Sequence, residues 1–279
     1  MKAALNSSQL ILADGHVHLH HCFDTEQVLD SAWDNFQKVA ARQFNQTEFT
    51  ALLFLTELEQ QDDFVRRKNQ LESQKDIKVG KWKLGKTQEE LSLFAADADS
   101  NKKIILIAGH QIVTAEKLEV LALITTDKVK SGLSLDETVE NIASAGGIPV
   151  LPWGVGKWIG SRGKILQNFI AKKPSSVLCL GDNGGRPIFW QRPSYFKEAE
   201  AKGLRILPGT DPLPLASECD RPGSFGFAIQ GDISLDNPGE DIKQILLNSQ
   251  IAIEAYGSLE NPVRFVRNQV ALRLSPKTA

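Results

Sequence analysis

Asp14-Gly15-His16-Val17-His18 ends an apolar run, Leu10-Ile11-Leu12-Ala13, and carries two imidazoles two positions apart. Alternate residues of an extended chain point the same way, so His16 and His18 can reach one metal ion from a strand end. His20 and His21 stand beside them, and of the five histidines only His110 lies elsewhere. An isolated H-x-H is a weak signal, as common on a surface as at a metal. The apolar strand before it and Asp14 ahead of it favour ligation. A second chemical feature is the stretch from Trp153 to Lys164, which sets Lys157, Arg162 and Lys164 among glycines. There backbone N–H groups and cations can approach phosphate oxygens closely, and Arg186 from a later loop would complete such an anion pocket. The plainer reading is a solvated basic loop, and the spacing is not that of a P-loop.

The elements that must position these groups are legible as short apolar runs alternating with helical periodicity. Strands are expected at about 10–14, 51–55, 104–108, 119–125, 148–152, 177–181 and 205–208, with helices near 25–43, 87–98, 134–145, 164–172, 193–202 and 239–247. Thr25 and Ser134 precede acidic residues in N-cap-like settings. Residues 78–84 alternate polar and apolar as an extra antiparallel strand, and 261–274 reads as a closing helix with Pro262 in its first turn. Buried strands alternating with helices predict an α/β fold with a parallel sheet, and about seven units predict closure as a TIM-like barrel. In such barrels chemistry sits at the C-terminal ends of strands. Those ends carry His16 and His18, then Thr56-Glu57-Leu58, Gly109-His110-Gln111, Pro152-Trp153-Gly154, the turn from Gly181 to Arg186, and Gly209-Thr210-Asp211, while Glu119 opens the fourth run.

With these motifs in this order, the chain resembles the PHP (polymerase and histidinol phosphatase) family, metal-dependent phosphoesterases on a distorted (β/α)7 barrel. Asp14 to His18 resembles the family's D-x-H-x-H, and Leu53-Phe54-Leu55-Thr56-Glu57 its strand ending in T-D-H. Gly109-His110-Gln111-Ile112 resembles G-x-E-I, Leu118 to Leu123 the later H-x-L-G-L, residues 145–152 the G-G-x-x-V-L-A before an H-P pair, and Gly209-Thr210-Asp211 the closing G-S-D-x-H. The departures are Leu58, Trp153 and Leu213 where the family has histidines, His110 for a bridging glutamate, and Glu119 near a usual histidine. The resemblance therefore implies one surviving metal position made by His16, His18, His110 and Asp211. A carboxylate can bridge two metals whereas a neutral imidazole gives one lone pair to one, so the implied site is a mononuclear His3Asp centre. Zinc suits that set, with iron or manganese as alternatives, and His20 and Glu57 are outer partners or hold a weak second ion. Plainer readings make Asp211 a cap of the turn with Pro212 and Pro214, Glu57 a helix start, Glu119 a strand residue, Asp182 and Asn183 loop geometry, and Trp153 a packing lid.

The implied activity is hydrolysis of a small phosphorylated molecule by water activated at the metal. Asp211 or Glu119 would take the proton, and Lys157, Arg162 or Arg186 would neutralise charge developing on phosphate oxygens. Two alternatives remain: an inactive PHP-like binding or assembly module, motivated by the lost histidines, and an amidohydrolase-type C–N hydrolase, for which no lysine is placed as a carboxylated ligand. Trp153, Trp158, Trp190 and Phe225, near loops, shape an apolar ligand pocket or an interface. A chain of 279 residues that is 42% hydrophobic can bury one large core, so a single domain over 1–279 is expected. A net charge of -2 argues against general nucleic-acid binding or a membrane-surface role. Cys22, Cys179 and Cys219 are scattered without CxxC spacing, as reduced cytosolic thiols would be. With no long apolar run and no signal-peptide pattern, a soluble cytoplasmic protein is expected.

Overall fold

The computed structural model describes residues 9–172 and 177–274. Along the chain, β1 (Gln9–Val17) and α1 (Thr25–Gln43) lead to β2 (Thr50–Leu55) and α2 (Asp63–Ser73), followed by the short strands β3 (Ile77–Val79), β4 (Trp82–Lys86), β5 (Ser92–Asp97) and β6 (Lys103–Ile107). Next come β7 (Gly109–Val113), β8 (Glu119–Leu123), α3 (Leu135–Ser144), β9 (Ile148–Pro152), α4 (Gly160–Ala171) and β10 (Cys179–Gly181). The last third holds α5 (Ser194–Ala201), β11 (Arg205–Ile206), β12 (Phe225–Gly231), α6 (Pro238–Leu247), β13 (Glu254–Gly257) and α7 (Pro262–Leu274). None of these helices is long and apolar enough to cross a membrane.

The strands form two sheets, β13-β12-β1-β2-β6-β5-β4-β3 and β11-β10-β9-β8-β7. Period-two burial lays them out in layers. Ile11, Ala13, Leu52, Phe54, Ile105 and Ile107 from the first sheet meet Leu121, Leu123, Ile148 and Val150 from the second in one inner cluster. Leu10, Leu12, Leu53 and Leu106 face the other way, onto Leu29, Phe36 and Phe64 of α1 and α2. Val120, Ala122 and Leu151 face outward onto Val139, Leu166 and Phe196 of α3, α4 and α5.

This α/β architecture departs from the expected parallel barrel. The regular pairing leaves two sheets, and β8 runs antiparallel to both β7 and β9. A tight turn at Thr114–Lys117 reverses the chain there, with no helix to carry it back. The segment 87–98 contains β5 rather than a helix, because Leu93 and Ala95 alternate into the core between β4 and β6. The extra strand expected at 78–84 is a hairpin of β3 and β4 turning at Gly80. The cap of α1 is Asp24 rather than Thr25, whereas Ser134 makes the expected capping box with Glu137. The helix α2 carries little periodic signal, because its buried side is only Phe64 and Leu71 with Lys68 between them.

One irregularity decides where the histidines point. Between Asp14 and Val17 the β1–β2 register slips. Leu10 and Leu12 pack with α1 ahead of the slip, and after it Val17 does. The parity of the strand has flipped, so His16 and His18 no longer share the helix-facing side of Leu10 and Leu12. Buried Asp14 holds this bulge. Its carboxylate accepts from the His16 N–H at 3.2 Å, the Thr210 N–H at 2.8 Å, the Thr210 hydroxyl at 2.6 Å and the Gly223 N–H at 2.9 Å. The same region is stitched to the 208–211 segment by Gly15 N–H to Pro208 O and Asp211 N–H to His16 O. That approach is close enough that a Cβ on Gly209 would fall 2.3 Å from the His16 nitrogen. Asp14→Ala strands three buried N–H groups, so it is expected to cost about 3 kcal/mol or more, read from the denaturant midpoint. A midpoint shift within error would show that the bulge holds itself.

Candidate metal centre

His16 and His18 come from the end of β1 and Asp211 from the loop after β11, and their donor atoms converge. The two Nε2 atoms are 3.0 Å apart, and Asp211 Oδ1 lies 3.4 Å from His16 Nε2 and 3.5 Å from His18 Nε2. Such spacing is what bonds of roughly 2.0–2.1 Å to a common cation require. Burial, with His16 beside it, pushes His18 down to about 3, so its ring is neutral at physiological pH and a nitrogen lone pair is available. Burial works against the Asp211 carboxylate, yet His16, His18 and a hydrogen bond from Asn183 hold it below the usual range. Two imidazoles and one carboxylate are a donor set that fits a divalent metal.

The surroundings orient these donors. Thr56 Oγ1 lies 3.5 Å from His18 Nδ1 and 3.2 Å from the Val17 carbonyl. Asn183 Nδ2 donates to Asp211 Oδ2 at 2.5 Å and to the Trp153 carbonyl at 3.3 Å, while its Oδ1 accepts from the Gly185 N–H at 2.6 Å. With both ends of the amide committed, Asn183 holds one carboxylate oxygen and leaves the other facing the imidazoles. Asp211 itself sits at φ 46, a left-handed conformation that the backbone tie to His16 sustains.

The structure does not bring His110 to this group. The Val129 N–H donates to His110 Nε2 at 3.2 Å, and the ring lines a separate cleft with Leu58, Lys128 and Ser131. Burial, then Lys128, pushes it down to about 4. Gln111, next in β7, lines both that cleft and the pocket that holds His18 and Asp211, whereas His110 lines the cleft alone. G-x-E-I in fact sets its carboxylate two residues after the glycine, which here is Gln111. Glu57 accepts from the Phe64 N–H at 2.6 Å at the start of α2, the plainer of its two readings. His20 is turned to the Pro212 carbonyl, 2.9 Å from its Nε2.

A pocket of about 300 Å³ opens over the centre, lined by His18, Asp211, Gln111, Glu119, Lys157 and Trp153. Glu119 reaches it because β8 is reversed, which puts its first residue beside the last of β9, and Lys157 Nζ pairs with Glu119 at 2.6 Å. Arg186 is spent elsewhere, donating from Nε and Nη2 to the Asp182 carboxylate and from Nη1 to the Trp190 carbonyl. Arg162 is likewise turned to the Gly156 and Lys117 carbonyls. Across the mouth lies α7, contributing Phe265, Asn268 and Leu272. Buried Glu218 anchors it by accepting from Arg264 and from Asn268 at 2.8 Å.

No protein-family model matches the sequence, and no curated protein does. Among solved structures, PsfC from Pseudomonas syringae PB-5123 matches over 95% of this chain and 98% of its own, with TM-score 0.57 and 15% identity. The lesion-specific endonuclease PfuEndoQ from Pyrococcus furiosus matches over 97% of this chain and 68% of its own, with TM-score 0.51 and 10% identity. A two-domain protein from Bacteroides vulgatus ATCC 8482, containing a predicted PHP-like metal-dependent phosphoesterase, matches over 91% of this chain and 66% of its own, with TM-score 0.47 and 14% identity. At these identities the first two likenesses are of fold alone, and the third is too loose to weigh.

Removing an orienting partner of a metal ligand typically costs 10–100-fold in affinity, so Asn183→Ala is expected to weaken Zn²⁺ or Mn²⁺ binding by roughly that factor in calorimetric titration. His110→Ala is expected to leave the affinity unchanged. Equal losses in the two variants would return His110 to the ligand set.

Proposed function

We propose that this chain is a PHP-like metal-dependent hydrolase, a phosphoesterase for a small phosphorylated molecule, folded as one domain. The observation that carries the reading is the convergence of His16, His18 and Asp211, two buried imidazoles and a carboxylate, with His18 and Asp211 on the wall of an open pocket. The fold is consistent with it. Beyond their regular pairing the sheets are joined by Ile124 N–H to Ala108 O on one side and Gly15 N–H to Pro208 O on the other. Counting β6 and β7, one residue apart, as a single member, these seams support reading β1, β2, β6–β7, β8, β9, β10 and β11 as an irregular seven-membered ring, the distorted barrel of the PHP resemblance.

Three protein ligands leave coordination positions for water and substrate, the arrangement of catalytic rather than structural zinc sites. Bound there, a divalent cation such as zinc, iron or manganese supplies Lewis acidity, polarising an ester oxygen and making water nucleophilic near neutral pH. Around it the chain divides the remaining work. Asp211 holds one oxygen toward the imidazoles and the other on Asn183, and Glu218 and Glu260 of the same pocket are paired with Arg264 and Arg221, so Glu119 is the carboxylate assigned to accept a proton. Lys157 sets a cation beside it that can shift to phosphate oxygens as charge develops on them. The donors of Arg162 and Arg186 are already used by backbone carbonyls and by Asp182, so neither has a part in this scheme.

Purified protein loaded with Zn²⁺ or Mn²⁺ is expected to hydrolyse members of a phosphomonoester panel and to lose that activity on chelation. General acid–base groups contribute typically 10²–10⁴-fold, so Glu119→Gln is expected to lower kcat by about 10² or more. Lys157→Ala should raise KM chiefly. A protein that takes up no divalent metal, and turns over nothing in the panel when metal is supplied, would refute the enzymatic reading and leave a binding module.

A further inference from the structure

Beside the pocket over His18 and Asp211 lies a second cleft, about 270 Å³, which shares Trp153 and Gly154 with it. Trp153, Trp158, Trp190 and Tyr195 line the cleft, and no charged side chain does among the described residues. Trp153 and Trp158 are buried, while Trp190 and Tyr195 are only partly so. The rings do not stack on one another: Trp153 meets Trp190 at 77° with centroids 5.6 Å apart, and Trp158 meets Tyr195 at 78° and 5.9 Å. Trp153 and Trp158 back the cleft from the core, and the partly exposed rings of Trp190 and Tyr195 are the ones a further planar ring can meet.

The cleft is coupled to the candidate centre through one side chain. Asn183 Nδ2 donates both to the carbonyl of Trp153, a wall of the cleft, and to the Asp211 carboxylate. Gly154 marks the passage between the two cavities, and a Cβ there would fall 2.8 Å from the Lys157 side chain. A molecule with its charged end near Lys157 and Asp211 would pass over Gly154, and its remainder would meet aromatic surface. Together the two clefts have the size of a small-molecule site, one part lined by polar and charged groups and the other by aromatic rings.

We propose that this cleft binds the planar aromatic part of the substrate, the base of a nucleoside monophosphate or the ring of an aryl phosphate. The proposal rests on the phosphoesterase reading for which end lies over the metal ligands. Recognition would be by stacking, which tolerates different rings because each has a π-face. Trp190 is the residue of choice for a test, since Arg186 and Pro187 contact its backbone rather than its ring.

The experiment is a calorimetric titration of the full-length protein, metal-free and Zn²⁺-loaded, with adenosine 5′-monophosphate, phenyl phosphate and ribose 5-phosphate. One or both aromatic ligands should bind at least about tenfold tighter than ribose 5-phosphate, as stacking on a single side chain warrants. Trp190→Ala should abolish that preference and Trp190→Phe should keep most of it. A preference for adenosine 5′-monophosphate alone assigns a nucleotide, and one for phenyl phosphate as well assigns any aryl ester. If Trp190→Ala does not fold, Tyr195→Ala is read in the same way. Equal binding of all three ligands, binding by none, or a preference indifferent to every folded variant overturns the proposal. Failure of the phosphoesterase reading would look different: the aromatic preference would persist in a protein without turnover. Turnover with no aromatic preference would sink the cleft alone.

Discussion

The site depends on a bulge in β1 and on the carboxylate that holds it. A regular strand would send His16 and His18 to the side of Leu10 and Leu12, against α1, where two imidazoles would disrupt an apolar layer. The slip after Asp14 turns them around. Asp14 accepts hydrogen bonds from both sides of the site, from His16 within the bulge and from Thr210 next to Asp211. One buried side chain thus fixes the distance between histidines and aspartate that lie almost 200 residues apart in sequence. Burial pushes Asp14 up to about 6 against its hydrogen bonds, a desolvation cost the fold bears at the place where position matters most.

Energetically the centre is set up for a cation. Burial keeps His18 neutral, so two Nε2 atoms can stand 3.0 Å apart without mutual charge repulsion. Against burial, His16, His18 and the Asn183 hydrogen bond hold the Asp211 carboxyl below the usual range, and its left-handed backbone is held by the same segment that Asp14 clamps. The outer wall is a separate piece of engineering. Helix α7 is fastened through Arg264 and Asn268 to Glu218, a carboxylate with almost no exposure that would be costly if left unpaired.

Much of this was legible in the sequence, for reasons that also mark the limit. His16 and His18 stand out because their spacing follows an apolar strand with Asp14 ahead of it, and Asp211 because Gly209-Thr210-Asp211 resembles the closing motif of the PHP family. His110 misled: within an extended segment, a one-residue difference in reading exchanges inside for outside, and Gln111 carried no chemical signal of its own. Arg186 looked free because its partner, Asp182, lies in the same loop and the bidentate pair is a tertiary fact. Asn183 was hidden in a glycine-rich turn whose backbone explains itself without the side chain. Residues 87–98 contain helix formers, yet the edge of β6 recruits them as a strand, a case of sheet pairing overriding local propensity.

The most direct test is a crystal structure of metal-soaked protein with anomalous scattering measured at the metal's absorption edge. The account predicts one strong peak bonded to Nε2 of His16, Nε2 of His18 and Oδ1 of Asp211, with Asn183 still on Oδ2 and His110 still on the Val129 N–H. A peak ligated by His110, or none between the two β1 histidines, would contradict it.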